Sequence, residues 1–398
     1  MKVLVVSESL PPVLNGQGLV LYRLLSEKRP DEYCLASQTN WLKGDRRQRG
    51  QLPGPYYHLE RPKQLNRGYR LGLSYVREAI NMPLIVSQLA RQLVDIINRE
   101  RCDVVLGCTG DVADLPAVLS ASRRTGVPFF AYLFDHYVYR EWRYPVRRWW
   151  ARYFVRKLMR AATGVITPNE TLCDDLRERF GVEASLIHNS LDISCYTANG
   201  RPATTADDGI KIVYTGDVYE AHYDAFRNLT NAIESLNRPE IKLHIYTDRS
   251  LEELATYGIK GPIVRHAQRS PDEMPRIQME ADVLFLPLAF NSPYPDLVRT
   301  SATTKLGEYL AARRPVIVHA PADSFPVTYF RQHECGVVVD RLDPSLLASQ
   351  ISRLLDDATL RERLASRAWE QARQDFDIAM ARAKFWDLLT GAVAGRTS

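Results

Sequence analysis

Ser301 to Val316 brings hydroxyls, one lysine and one glutamate together in an order that suits a bound anion. Ser301, Thr303 and Thr304 open a helical run, where free N–H groups and the positive dipole end attract negative charge, and Lys305 adds a formal charge beside them. Diphosphate is a natural guest. Glu308 lies one helical turn beyond Lys305, so both can look out from one face, and a carboxylate there can accept hydrogen bonds from two ribose hydroxyls. The competing account is a surface ion pair at i,i+3, worth roughly 0.2–0.5 kcal/mol. Farther upstream, Phe134-Asp135-His136 closes an apolar run. His136 at such a rim could orient or deprotonate a sugar hydroxyl while Asp135 fixes its tautomer; a surface or helix-capping histidine is the alternative. Gly16 and Gly18 sit between the first apolar run and a helical run, where glycine lets backbone N–H groups approach a phosphate, although a tight turn uses two glycines equally well. The third glycine of a dinucleotide fingerprint is absent, because position 21 is Leu21, so a nicotinamide dinucleotide fold is disfavoured.

Residues of this kind need a scaffold that gathers them at strand ends. Short apolar runs alternate with amphipathic helical stretches over most of the chain, the pattern of βαβ units, so the fold class is α/β. The first half reads as strands at 2–6, 32–36, 103–107, 128–134, 164–167 and 184–187, with helices near 18–26, 83–99, 112–124, 146–161 and 170–180. The second half restarts with strands at 210–214, 242–246, 263–266, 283–287, 316–319 and 336–339. Two Rossmann-like domains are expected, 1–195 and 210–375, joined by a turn-rich linker at 196–209 and followed by a terminal helix at 376–398. Ser270-Pro271-Asp272-Glu273 reads as a capping box that starts a helix running to Glu280. The tail from Pro344 breaks near 356–358 and near 376, which gives two or three consecutive helices, and 40–75 reads as a long loop. Open parallel sheets bind ligands beyond their carboxyl ends, and two facing domains of this kind make a cleft.

Composition narrows the function classes. An excess of 52 basic over 47 acidic residues in 398 is too dilute for an obligate nucleic-acid binder. No apolar run approaches the roughly 18 residues of a membrane span, and the first residues lack the length and flanks of a signal peptide, so a cytoplasmic location is expected. The six cysteines lack C-x-x-C spacing and are expected to be reduced thiols, without a zinc site or disulfide framework. Asp375-x-Asp377 follows a helix at the far end of the chain and reads as a capping or solvated pair, not a metal site.

In order along the chain, Pro11-Pro12 with Gly16 and Gly18, Asp135-His136, Ala162–Asn169, Leu186–Asp192, Ala281–Pro287 and Lys305–Val316 resemble glycosyltransferase family 4 of the GT-B type. The resemblance covers nearly the whole chain. It implies a retaining transferase that moves a sugar from a nucleotide diphosphate sugar, most often a UDP-sugar, to a hydroxyl acceptor without metal or cofactor. The donor would lie in the second domain and the acceptor mainly against the first, with the C-terminal helices returning to the first domain. His136 would lie by the donor sugar, Glu308 would bind the ribose, and N–H groups near Thr303 and Thr304 would hold the distal phosphate. The sequence departs from the family at three points. Thr300 stands where the family has the first Glu of E-x7-E. Asp217 after Gly216, and His222 five residues later, replace an Arg and a Lys that grip the diphosphate, which leaves Lys305 with help from His222, Arg227 or Arg299. Asn189-Ser190 replaces an Asn-Gly.

The implied partners are a nucleotide-sugar donor and a glycan, lipid-linked or small-molecule acceptor, with no nucleic acid. Arg140–Arg160 interleaves basic residues with Trp142, Trp149, Trp150, Tyr153 and Phe154, and Arg148, Arg152, Arg156 and Arg160 fall at successive i,i+4 positions. Such a helix suits either the inner face of a membrane, as a peripheral contact, or a core position with solvated arginines. The alternatives to a transferase are a catalytically silent nucleotide-sugar-binding protein and a nucleotide-sugar epimerase.

Overall fold

A strand buried on both faces is a continuous apolar run, and the chain supplies such runs at intervals that leave room for a helix between them. The computed structural model describes residues 1–13, 16–41, 50–63, 74–140, 145–197 and 209–394. It divides into two compact units, Met1–His188 with Ala379–Ser398, and Asn189–Ile378.

The first unit runs β1 (Val3–Val6), α1 (Gly16–Leu25), β2 (Tyr33–Ser37), β3 (Tyr56–His58), α2 (Ser74–Glu100), β4 (Val104–Cys108), α3 (Asp114–Thr125), β5 (Phe129–Tyr132), α4 (Tyr137–Arg140), α5 (Pro145–Ala161), β6 (Gly164–Thr167), α6 (Glu170–Phe180) and β7 (Ser185–Leu186). Its seven strands lie in the order β3-β2-β1-β4-β5-β6-β7. Pairing is parallel, with Val3 opposite Tyr33 on one side and Val104 on the other. Local signals set the helix ends: the Asn169 side chain accepts the Leu172 N–H (2.8 Å) at the start of α6, and Gly181, at φ 64°, closes it.

The second unit repeats the plan with β8 (Ile210–Thr215), α7 (Tyr223–Ser235), β9 (Ile241–Tyr246), α8 (Leu251–Thr256), β10 (Ile263–His266), α9 (Met274–Met279), β11 (Val283–Pro287), α10 (Pro295–Arg299), α11 (Lys305–Ala311), β12 (Val316–His319), α12 (Phe325–His333), β13 (Val337–Val339), α13 (Pro344–Asp356) and α14 (Ala358–Asp375). The order is β10-β9-β8-β11-β12-β13, again parallel. Two apolar layers, one on each face of this sheet, bury side chains such as Leu284, Val316 and Tyr309 on one side and Phe226, Ile245 and Phe285 on the other.

The last helix, α15 (Ile378–Ala394), packs on the first unit. Arg382 donates to the Arg23 carbonyl (2.6 Å) and the Ser26 hydroxyl (3.1 Å) and pairs with Glu27, while the Trp386 indole donates to the Leu24 carbonyl at 3.3 Å. Phe385 and Leu389 are fully buried.

Four expectations shift. The division falls at 188/189 rather than 195, because Leu191 N–H bonds the Phe376 carbonyl (2.9 Å) and Tyr196 donates to Gln278 (2.6 Å), both in the second unit. Of the expected linker, residues 198–208 lie outside the described residues. The helix expected from Pro83 begins at Ser74, with Pro83 inside it; the loss of one N–H is outweighed by a buried face of Met82, Ile85, Leu89 and Leu93. The stretch 40–75 contains β3, a short edge strand, while its residues 42–49 and 64–73 lie outside the described residues. At Ser270 the Glu273 carboxylate does accept the Ser270 N–H (3.1 Å), but the Glu273 N–H bonds the Ser270 carbonyl in a turn, and the helix starts at Met274.

The six cysteines are free thiols. Among the described residues no helix is long and apolar enough to cross a membrane.

Candidate active site

In the second unit the strand order reverses at β8, whose neighbours are β9 and β11, and the loops leaving β8 and β11 are where a ligand would sit. These loops are tied together. Ala289 N–H donates to the Ala221 carbonyl (2.6 Å), and the Asp224 carboxylate accepts from Phe290 N–H (3.0 Å) and Asn291 N–H (2.8 Å). Gly216 leaves β8 at φ 123°, a conformation for glycine, and a Cβ there would stand 2.6 Å from Lys305 Cε and 2.7 Å from Nζ. The absence of a side chain is what lets Lys305 cross the Gly216 backbone.

Lys305 heads α11, with its ammonium 5.2 Å from the centre of the Tyr214 ring. Burial pulls its pKa below the ordinary lysine value, against the opposing charges of Glu308 and Asp217. The surface-pair account of Lys305 and Glu308 does not hold, since Glu308 is 9% exposed and held from the interior. Gln278, fully buried on α9, donates from Nε2 to Glu308 Oε2 (3.2 Å) and to Thr215 Oγ1 (3.2 Å), and its Oε1 accepts from Tyr196 at 2.6 Å. The Tyr309 hydroxyl accepts the Thr215 N–H (3.0 Å) and closes the network. Thr215 and Tyr196 thereby hold Gln278, and Gln278 holds one oxygen of the carboxylate.

The remaining expected groups separate. Thr303 and Thr304 are half-buried where the chain enters α11, and Thr303 Oγ1 accepts the Lys305 N–H (3.3 Å). His222 stands at the start of α7, 6% exposed, edge-on to Tyr219 (4.4 Å between ring centres) and Tyr214 (5.8 Å). Arg227 is not brought to this loop: its guanidinium donates to the Tyr257 carbonyl (2.9 Å) on the exposed side of α7. Arg299 ends α10, half-buried, and the Thr300 hydroxyl is spent on the Asp296 carbonyl at 3.0 Å. Arg249, which sequence reasoning missed, supplies the guanidinium beside this loop, pairing with Asp217 at 3.2 Å. Gln278 was missed too, because a buried glutamine inside a short helix gives no pattern of its own.

In the first unit, Gly16 opens α1 at φ 41°, and a Cβ on Gly18 would lie 2.1 Å from the Val13 carbonyl oxygen, so glycine is required there for packing. Leu14 and Asn15 lie outside the described residues. His136 follows β5 with 1% of its surface exposed. Its Nδ1 accepts the Val138 N–H (3.2 Å), which puts the proton of the neutral ring on Nε2, and Nε2 faces Asp175 Oδ2 at 3.1 Å. The orienting carboxylate is therefore Asp175 of α6, not Asp135, and Arg179 holds its other oxygen (2.9 Å). Asp135 is half-buried beside it, with its backbone N–H directed at Thr109 Oγ1 (3.4 Å).

The family model described as Glycosyltransferase Family 4 matches residues 53–194, and that described as Glycosyl transferases group 1 matches residues 209–357. No curated protein sequence matches the chain. Among solved structures, a glycosyltransferase from Rickettsia africae superposes with a TM-score of 0.68 at 13% identity, covering 98% of each chain. Anabaena HepE in complex with UDP and glucose superposes with a TM-score of 0.67 at 15% identity over 98% of this chain and 99% of that one. The α,α-trehalose 6-phosphate synthase of Burkholderia multivorans gives a TM-score of 0.66 at 14% identity over 100% of this chain and 98% of that one. Two doubly wound parallel sheets and two consecutive family matches agree: the chain belongs to the family 4 type of GT-B glycosyltransferases.

Proposed function

We propose that the protein is a retaining glycosyltransferase that carries the sugar of a nucleotide diphosphate donor, first of all a UDP-sugar, to a hydroxyl of a glycan, lipid-linked or small-molecule acceptor in glycan or glycoconjugate assembly, without metal or cofactor. One observation carries the reading: Gln278, itself held by Thr215 and Tyr196, donates to the Glu308 carboxylate one turn from Lys305, and Lys305 crosses the bare backbone of Gly216. That arrangement offers two ribose hydroxyls a pair of acceptor oxygens and offers the diphosphate a cation, the N–H groups near Thr303 and Thr304, and an open backbone. The complexes of Anabaena HepE with UDP and with UDP-glucose support the choice of donor.

As the sugar leaves, negative charge grows on the diphosphate, and the half-buried Lys305 stabilises it. Asp135 stands half-buried after β5 in the first unit, the acceptor side of the reading. His136, whose ring nitrogens both face protein atoms, ties the Val138 N–H to Asp175 of α6.

Glu308→Gln is expected to lower kcat/KM for the nucleotide sugar by about tenfold to a hundredfold, the loss of a charge-assisted bond of about 1.5–3 kcal/mol, with an unchanged circular dichroism spectrum. Parental kinetics would remove Glu308 from the donor site. Nucleotide-release assays over a panel of donors distinguish transfer from silent binding and from epimerisation.

We further assign a peripheral membrane contact, at the inner face of a cytoplasmic membrane, to the α2–α5 surface. Ala151, Val155, Leu158 and Met159 turn one side of α5 into the core, so this side behaves as a core helix. The other side exposes Trp149 (60%) stacked on Tyr153 (68%), with Arg152, Arg156, Lys157 and Arg160 around them. Beside it, α2 exposes Val76, Ile80 and Leu84, an i,i+4,i+8 ridge of 46–55% exposure. Arg140 by its side chain, and residues 141–144 entirely, fall outside the described residues. An interfacial aromatic pair, an apolar ridge and a cationic margin together suit anionic lipid. Flotation with anionic but not neutral liposomes, abolished by high salt, is the expected result; failure to float on either removes the assignment.

A further inference from the structure

Among the described residues Lys305 is the cation placed over the cradle for the diphosphate, where the resemblance leads one to expect more. Asp217 is bound to Arg249, Arg227 to the Tyr257 carbonyl, and Lys305 stands over Gly216 and the Tyr214 ring. His222 shares the Tyr214 ring with it, the imidazole centre 5.8 Å and the ammonium 5.2 Å from that ring's centre. Its Nδ1 is buried without a hydrogen-bond partner among the described residues, an arrangement that costs free energy unless something completes it. His222 opens the 13-residue helix α7, so the imidazole stands at the positive end of a helix as well as beside a lysine.

Charged and titratable groups lie near it on three elements and one loop, the loop also carrying the exposed Glu220. From β8 comes Tyr214, an edge contact whose hydroxyl donates to the Asp217 carbonyl (2.7 Å). From the following loop come Tyr219, in edge contact, and Asp217, paired with Arg249. From α11 comes Lys305, with Glu308 one turn further on and turned to Gln278. From α7 itself comes Asp224, engaged by the N–H groups of Phe290 and Asn291. Burial first, and then the charge of Lys305, keep the ring neutral, with a pKa pushed down to about 3.

Resting on the donor assignment above, we infer that His222 takes up a proton as the diphosphate of a nucleotide sugar enters the second unit, so that a ligand-induced cation replaces the missing fixed one and donor affinity follows pH. A bound diphosphate brings two negative charges against the single charge of Lys305, which reverses the sign of the field at the imidazole, and a phosphate oxygen gives Nδ1–H an acceptor. The direction is fixed by linkage. The ring's pKa is low when the site is empty and higher when it is filled, so the filled state holds more protons between the two values, and affinity rises as pH falls, by up to tenfold per pH unit.

The probe is UDP-glucose, because a diphosphate diester carries no phosphate proton in the range used, and UDP alone serves as a second probe. Titration calorimetry at pH 7.5 and 5.5, repeated in buffers of different ionisation enthalpy, is expected to show about tenfold tighter UDP-glucose binding at the lower pH, with net proton uptake near pH 6.5. His222→Asn, neutral and of similar size, is expected to bind with little pH dependence and no uptake, which separates His222 from any contribution of Lys305. Binding of the parent protein with equal affinity at both pH values and no proton uptake overturns the inference and leaves the donor site standing. Absence of binding by either probe at both pH values overturns the donor assignment, and the inference with it.

Discussion

Asp175→Ala is expected to destabilise the first unit by about 3–5 kcal/mol, the cost of removing one partner from a buried pair. The side chains of Asp175 and His136 are each 1% exposed and 3.1 Å apart, so truncation leaves the imidazole Nε2–H facing a cavity in the core. Arg179, the other partner of Asp175, is 43% exposed and adds little, since water takes over its hydrogen bonds. With a denaturant slope of about 2–3 kcal/mol per molar, the urea midpoint of the first unit falls by about 1–2 M, while the second unit's transition stays in place as an internal control. Coincident midpoints for parent and variant would make the pair dispensable. The same geometry predicts that His136→Ala lowers turnover more than donor affinity, because Gly216, Lys305 and Glu308 belong to the second unit. Calorimetric donor titration beside steady-state kinetics reads the difference.

Lys305→Met is expected to reduce kcat/KM by about 30-fold to a few thousandfold, the equivalent of about 2–5 kcal/mol for truncating a desolvated charge that faces phosphate. Stability should move the other way. Lys305 has a folded pKa below its ordinary value of 10.5, so the folded chain resists holding that proton. The parent protein therefore gains stability as pH rises from the lowered value towards 10.5, and a methionine of similar length, carrying no charge, removes both the penalty and that pH dependence. Lower activity with a higher melting temperature is the signature of a functional charge kept at a cost to the fold. Lower stability with parental kinetics would make Lys305 a structural residue.

How much of this was legible in the sequence depended on how local the signal was. Val283–Pro287 and Val316–His319 were readable residue for residue, because a strand covered on both faces has to be an unbroken apolar run. The breaks after Asp356 and Asp375 were readable as well, since Asp357 caps α14 by accepting the Leu360 N–H (2.8 Å). A three-residue edge strand such as β3, half-buried, carries too short a pattern. Ser250–Glu253 forms the reciprocal capping box and Ser270–Glu273 does not, although both present Ser and Glu three apart, because Glu273 N–H turns to the Ser270 carbonyl and not to its hydroxyl. At the site, Lys305 and Glu308 were found through their helical spacing. Gln278 and Asp175 act across the chain, on Glu308 and His136, and no spacing rule connects such partners.

The return of α15 to the first unit also fixes an order of events during synthesis. Residues 189–378 leave the ribosome after most of the first unit and before the helix that completes it. Until that helix arrives, the surface of α1 that receives Trp386 and Arg382 has no cover, and the nascent first unit must wait with an open seam while an entire second sheet is made. Closing the seam joins residues more than 350 positions apart in sequence, a loop closure with a large entropic cost that pre-folding of the inserted unit shortens. The second unit thus acts on the first as a folded spacer, and errors in its folding would be felt as failure of the first unit to close.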